Sequence, residues 1–125
     1  MMKRILLVDD DKDILTLTER WLTRAGYEVM VADSGAGALE ICKGGAVPDL
    51  ILLDVAMPEM DGPATLQAIR ALDQGKEIPV LFRTGMEDLV TISSDQDPYY
   101  AGAISKGEGK PSLLAAVSKV FTDFP

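Results

Sequence analysis

The chain has no histidine among its 125 residues. Without an imidazole, general-base work, metal ligation and phosphoryl carriage lose the side chain that most often performs them. Any acid/base or phosphoryl chemistry here falls to carboxylate, hydroxyl or lysine. Cysteine is nearly as scarce: Cys42 is the only one, which excludes an intrachain disulfide and suits a reducing cytoplasm. Its place in an apolar helical pattern reads as a small buried hydrophobe. Long apolar runs are missing too. After the basic start Met1-Met2-Lys3-Arg4, the aliphatic run Ile5 to Val8 meets three aspartates, too short for a signal peptide or a membrane span. Positive charge is in deficit, with 12 basic against 20 acidic residues and a net charge of -8. That balance disfavours direct binding to nucleic acid or an anionic membrane and favours a cationic ligand or partner. No repeat, low-complexity tract or interdomain linker interrupts the chain, and the length and 47% hydrophobic content suit one globular domain over residues 1–125.

What is present centres on Leu50-Ile51-Leu52-Leu53-Asp54-Val55-Ala56-Met57-Pro58-Glu59-Met60-Asp61-Gly62. Four aliphatics end in one carboxylate and a loop punctuated by Pro and Gly follows, the pattern of a buried strand delivering a reactive side chain to a rim. Ile5 to Val8 repeats it, ending in Asp9-Asp10-Asp11. Ile14, Leu17, Trp21, Leu22 and Ala25 recur at helical spacing until Gly26, and Tyr27 to Ala32 reads as a strand. Ser34 is placed to cap a helix carrying Ala38, Leu39 and Cys42, which Gly44-Gly45 ends. Leu66, Ile69 and Leu72 mark another helix with Gln74-Gly75-Lys76 as its exit turn. Ile78 to Phe82 is a further aliphatic strand, presenting Arg83, Thr84 and Gly85 at its end. Leu89, Val90 and Ile92 allow a short helix, but Ser93 to Pro98 is turn chemistry. Ala101 to Ser105 is a short strand candidate ending at Lys106. Pro111 opens a last helix with Leu113, Leu114, Val117, Val120 and Phe121 as its apolar stripe.

Strand and helix alternate five times, which under the right-handed crossover rule implies a doubly wound parallel α/β sheet with ligands at the carboxyl ends of its strands. Asp9, Asp10, Asp54, Thr84 and Lys106 all fall at such ends. Three converging carboxylates must protonate or hold a cation, and an oxygen-only set favours a hard divalent ion such as Mg²⁺, with Asp10 and Asp54 as direct ligands. Mg²⁺ binds readily beside phosphate, so the set points to phosphoryl chemistry with Asp54 as nucleophile. Lys106, the Thr84 hydroxyl and backbone N–H groups near Ala56 and Gly85 are the available donors to phosphoryl oxygens.

Leu7-Val8-Asp9-Asp10, the stretch Leu52 to Gly62, Ile78-Pro79-Val80 leading to Thr84-Gly85, and a lysine before the last helix together resemble the receiver domain of two-component response regulators. The resemblance covers essentially the whole chain. It implies a flavodoxin-like fold with strand order 2-1-3-4-5 and phosphotransfer from a sensor histidine kinase or phosphotransfer protein, in the cytoplasm. The protein then catalyses only its own phosphorylation and dephosphorylation and is not an enzyme on a separate substrate. By the same matching Asp54 is the phosphoacceptor, Asp9 and Asp10 are metal-site acids, Ala56 is a carbonyl ligand of Mg²⁺, Thr84 is the switch hydroxyl and Lys106 the phosphate lysine. Lys110-Pro111 looks like the family's usual Lys-Pro pair, but using it would put Gly107-Glu108-Gly109 into the preceding strand. Lys106 instead puts Ile104 there, keeps a separation from Thr84 typical of the family and predicts a trans Lys106–Gly107 bond with an altered loop.

Ala103 departs from the resemblance, since receivers usually carry Tyr or Phe there, and Tyr99 and Tyr100 read as half-buried packing residues in its neighbourhood. Asp11, Asp13, Asp61 and Asp88 read as caps and turns, Met57 and Met60 as loop packing, Trp21 as core, Gly35-Ala36-Gly37 as a helix start, and Arg83 as a strand-end residue facing solvent. The output is expected to be a protein contact, made either by a stand-alone regulator or through an output domain in a longer chain. A pseudo-receiver with phosphorylation-independent output is the alternative. An aspartate-nucleophile phosphatase of the haloacid dehalogenase type, suggested by Asp9-x-Asp11, fails because Lys12-Asp13 stands where a hydrophobic residue or Thr belongs.

Overall fold

The middle of the sheet is built from three strands whose aliphatic runs are buried on both faces. A computed structural model describes residues 2–85 and 96–125. Its elements are β1 (Arg4–Val8), α1 (Lys12–Arg24), β2 (Glu28–Ala32), α2 (Gly35–Lys43), β3 (Leu50–Asp54), α3 (Gly62–Arg70), β4 (Val80–Thr84), β5 (Tyr100–Ser105) and α4 (Lys110–Asp123). The five strands pair in parallel, as the alternation implies, in the order β2-β1-β3-β4-β5 that the resemblance implies. The short helix considered around Leu89, Val90 and Ile92 lies outside the described residues, as do Met86 and Asp88.

Because successive strand residues point to opposite faces, each aliphatic run fills two cores at once. Leu6, Val8, Ile51, Leu53, Val80 and Phe82 face α2 and α3, meeting Ala38, Cys42, Leu66 and Ile69. Ile5, Leu7, Leu50, Leu52 and Leu81 face α1 and α4, meeting Leu15, Leu22, Leu113, Val117 and Val120. Cys42 is fully buried, and burial pushes its thiol pKa up.

Caps fix where the helices start. Asp11 Oδ1 accepts hydrogen bonds from Asp13 and Ile14 N–H, Ser34 Oγ from Gly37 N–H, and Asp61 Oδ1 from Ala64 N–H, each satisfying donors that the first turn leaves open. Gly26, after α1, takes φ +101°, where a side chain would be strained. In α1 the buried stripe is Leu15, Thr18 and Leu22, flanked by partly buried Ile14 and Trp21. Leu17 is 45% exposed, outside the stripe expected for it. The apolar count set the phase of that helix by one residue because it passed over Thr18, a polar residue with no exposed surface.

After α3 the chain makes a single 3-10 turn, Asp73–Gly75, where the exit turn was expected. Arg70 on α3 braces it, donating to Gly75 O at 2.7 Å and to Asp97 Oδ2 at 2.8 Å ahead of β5. β5 lies at the sheet edge, and its pairing with β4 shifts by one residue between Val80–Tyr100 and Leu81–Gly102. The shift puts Tyr100 and Ala103 on the same face, opposite Val80 and Phe82 respectively. The Tyr100 ring packs 5.8 Å from Phe82, while Tyr99 packs on Phe124 and donates its hydroxyl to Glu77. Both tyrosines are the half-buried packing residues expected.

Candidate functional site: an acid pocket at the carboxyl edge of the sheet

The two central strands carry the two buried acids. Val8 and Leu53 are partners across β1 and β3, and Asp9 and Asp54 follow them, each only 2% exposed. The loop after Asp54 folds back tightly: Gly62 N–H donates to Val55 O at 2.8 Å. A Cβ on Gly62 would sit 2.5 Å from Asp54 O and 2.8 Å from the Val55 Cα. The glycine of the Met-Pro-Glu-Met-Asp-Gly run is thus set by backbone proximity to the acid-bearing strand. Within that loop Glu59 takes φ +66°, an uncommon conformation for a residue with a side chain.

Lys106 reaches both acids. Its Nζ lies 2.9 Å from Asp9 Oδ2 and 3.0 Å from Asp54 Oδ2. Asp9 is further held by the Asp11 N–H, which donates to its Oδ1 at 2.9 Å. The approach to Asp54 is close but poorly aligned for a hydrogen bond, and Asp54 Oδ2 is left without a hydrogen-bond partner. Lys106 acts on Asp54 both through this close contact and through its charge. The lysine backbone is anchored as well: its N–H donates to Thr84 O at 2.9 Å, continuing the ladder that pairs Thr84 with Ser105. The turn that follows is held by its own side chains, Gly107 N–H donating to Ser105 Oγ and Ser105 N–H to Glu108 Oε2. No peptide bond among the described residues is cis, so Lys106–Gly107 is trans as expected. Lys110 begins α4 in an exposed position.

Each predicted residue can now be placed. Asp9, Asp54 and Lys106 are in direct contact. Asp10 is exposed beside them, and the oxygens of Asp9, Asp10 and Asp54 lie within 4.8 Å of one another, a spacing that could hold a metal ion. Thr84 is buried at the end of β4, one residue past Arg83, the strand partner of Asp54. Ala56 is exposed two residues beyond β3. Asp11 and Asp61 serve as helix caps. Arg83 differs from expectation. It is 5% exposed, not facing solvent, and its Nη1 donates to Thr18 Oγ1 on α1 at 2.6 Å. Two polar residues that hydropathy periodicity treats as surface are buried against each other.

Burial pushes the Asp54 carboxyl up to about 6; the Lys106 ammonium pulls it back, and Asp9 and Asp10 add to the rise. For Lys106 burial acts downward, but the two carboxylates outweigh it and its pKa is raised. The sign of the consequence follows. A carboxyl whose folded-state pKa lies above its unfolded value keeps its proton in the fold when the unfolded chain has lost it. The stability it contributes is complete below about pH 4 and is lost as pH rises through about 6. Without metal, Asp54→Asn should therefore gain on the wild type as pH rises, by up to about 3 kcal/mol at pH 7 relative to pH 4. Urea unfolding in chelator at both pH values measures it, and a pH-independent difference contradicts it.

Fold and pocket define a class first: a flavodoxin-like α/β protein with an oxygen-rich acid site where the strand order reverses, between β1 and β3. Within that class the chain belongs to the response regulator receiver domain family, whose model matches residues 5–118. It is 45% identical over 123 residues to the uncharacterized transcriptional regulatory protein YrkP of Bacillus subtilis, covering 95% of this chain and 51% of that protein. It is 40% identical over 114 residues to the transcriptional regulatory protein PrrA of Mycobacterium tuberculosis, covering 90% and 45%. Among solved structures, the chemotaxis response regulator CheY4 of Vibrio cholerae superposes with a TM-score of 0.81 at 30% identity, covering 96% of this chain and 99% of that one. The chain spans about half the length of these curated relatives. Among the described residues no helix is long and apolar enough to cross a membrane.

Proposed function

We propose that residues 1–125 act as one phosphoacceptor receiver unit that takes a phosphoryl group onto Asp54 in the cytoplasm and passes the change on through a protein contact. The observation that carries this is the triple contact at the rim: a buried nucleophilic carboxylate, a second buried acid and one lysine held between them at 2.9 and 3.0 Å. The donor set fits a hard divalent ion, because its ligands are all oxygen and Asp54 Oδ2 has no hydrogen-bond partner of its own. Asp9, Asp10, Asp54 and the Ala56 carbonyl would hold Mg²⁺, which when bound neutralises charge on the incoming phosphoryl oxygens.

The remaining work belongs to the chain. An Asp54 carboxylate oxygen forms a bond to phosphorus as the P–N bond of a partner's phosphohistidine breaks and the imidazole leaves. Lys106, freed from pairing with Asp54, is placed to pair with the new phosphoryl oxygens, while the Thr84 hydroxyl donates to another. Because Lys106 N–H bonds to Thr84 O, β4 and β5 register the rearrangement together. No separate substrate is turned over in this scheme. The sensor kinase is the donor, and a downstream protein or an output domain in a longer chain is the receiver of the signal. The curated relatives named as transcriptional regulators are about twice as long, and the net charge of -8 disfavours direct nucleic-acid contact by this chain.

Incubation with acetyl phosphate and Mg²⁺ tests the reading. One phosphoryl mass should appear, removable by hydroxylamine as an acyl phosphate and mapping to the peptide containing Asp54. An unmodified chain would favour the phosphorylation-independent module.

A further inference from the structure

Among the described residues, Arg83 is the buried charge that phosphoryl transfer to Asp54 does not use. Its backbone pairs with Asp54 in the β3–β4 register. Strand alternation directs its side chain to the α1 face, where Thr18 lies. Only 5% of its surface is exposed; among the described residues one neutral hydroxyl is its side-chain hydrogen-bond partner, and its Nε has none. A guanidinium withdrawn from water this far needs opposite charge close by. That charge is Asp9 and Asp54, which oppose the effect of burial on the arginine. Lys106 meets the same two acids directly. The acids thus have one cation in contact, Lys106, and a second, Arg83, on the strand paired with Asp54.

We propose that Arg83 is a built-in counter-ion of the acid pocket: from the α1 side it supplies part of the positive charge that a divalent cation supplies at the rim, and so sets how tightly that cation binds. This rests on the reading of Asp9, Asp10 and Asp54 as a metal site. Arg83 touches neither the phosphoryl group nor the ion in this scheme. It is a positioning residue acting through the acids.

The test is calorimetric titration of metal-free protein with MgCl₂. At an effective dielectric of about 20 to 40, a unit charge within about 10 Å of a divalent ion changes its affinity by about tenfold or more. Arg83→Gln, which keeps a donor for Thr18 but removes the charge, should bind Mg²⁺ at least about tenfold more tightly than wild type. Thr18→Val, which removes the hydroxyl and keeps the charge, should bind within about twofold, because the arginine's long-range field survives. A merely structural role would lower the melting temperature of both variants and leave both affinities alike. Unchanged or weaker binding by Arg83→Gln overturns the proposal. If Arg83→Gln folds only when Mg²⁺ is added, one cation is replacing the other and the proposal stands; a chain unfolded even at saturating Mg²⁺ overturns it. Wild-type phosphorylation, measured in parallel, separates the two readings. Uptake on Asp54 with unchanged Arg83→Gln affinity sinks the counter-ion alone. Binding by Arg83→Gln where wild type binds none supports the counter-ion and removes Mg²⁺ from the wild-type mechanism, and absence of binding in both overturns both.

Discussion

Asp54→Asn is expected to reduce phosphoryl uptake from acetyl phosphate below detection while leaving the fold intact. The amide has no anionic oxygen to bond phosphorus, and the chain has no histidine to accept the group in its place. The structure also argues that the loss is not one of folding. Asp54 is buried beside Asp9, with Asp10 at the rim, and this burial disfavours its ionised form and raises its pKa. Removing that charge should not weaken the metal-free protein at neutral pH. Uptake elsewhere in the variant at the wild-type rate would remove Asp54 from the central role. A collapse of the fold would instead mean that Asp54 holds the pocket together.

The second large effect separates the two lysines. Lys106→Met should slow phosphoryl uptake by about 10² to 10³, the range seen when a preorganised donor to a developing oxyanion is removed. The same change leaves Asp9 and Asp54 facing each other without their shared cation, destabilising the metal-free protein by about 3 kcal/mol. Lys110→Met should change neither beyond about twofold, because an exposed residue at the start of α4 can gain or lose little by its charge. Rates and unfolding free energies of the two variants settle the choice. A slow Lys110→Met with a fast Lys106→Met would reverse the assignment.

Much of this site was legible from residue order. Short aliphatic runs that end in acid and alternate with helical patterns read as strands covered on both faces, and the crossover rule then brings their carboxyl ends to one rim. The caps Asp11, Ser34 and Asp61 were readable because their chemistry is local. Lys106 could be preferred because the alternative required a strand of Gly107-Glu108-Gly109. What escaped were contacts between polar residues distant in sequence. Arg83 and Thr18 are 65 positions apart, and nothing in either neighbourhood announces that the two side chains are buried against each other. A periodic count of apolar residues discards both, which is also why α1 was phased toward Leu17. The one-residue shift in β5 was equally hidden, since it comes from pairing with β4 and not from the strand's own composition.

The most direct test of a phosphoryl pocket is an amide NMR titration with Mg²⁺ and beryllofluoride, an acyl phosphate mimic. The predicted result is saturable displacement of the signals of Asp54, Thr84 and Lys106, extending along β4 and β5 through the Lys106–Thr84 backbone bond. Unmoved signals at these three residues under saturating reagent would contradict the account and leave a receiver fold whose acid pocket accepts no phosphoryl group.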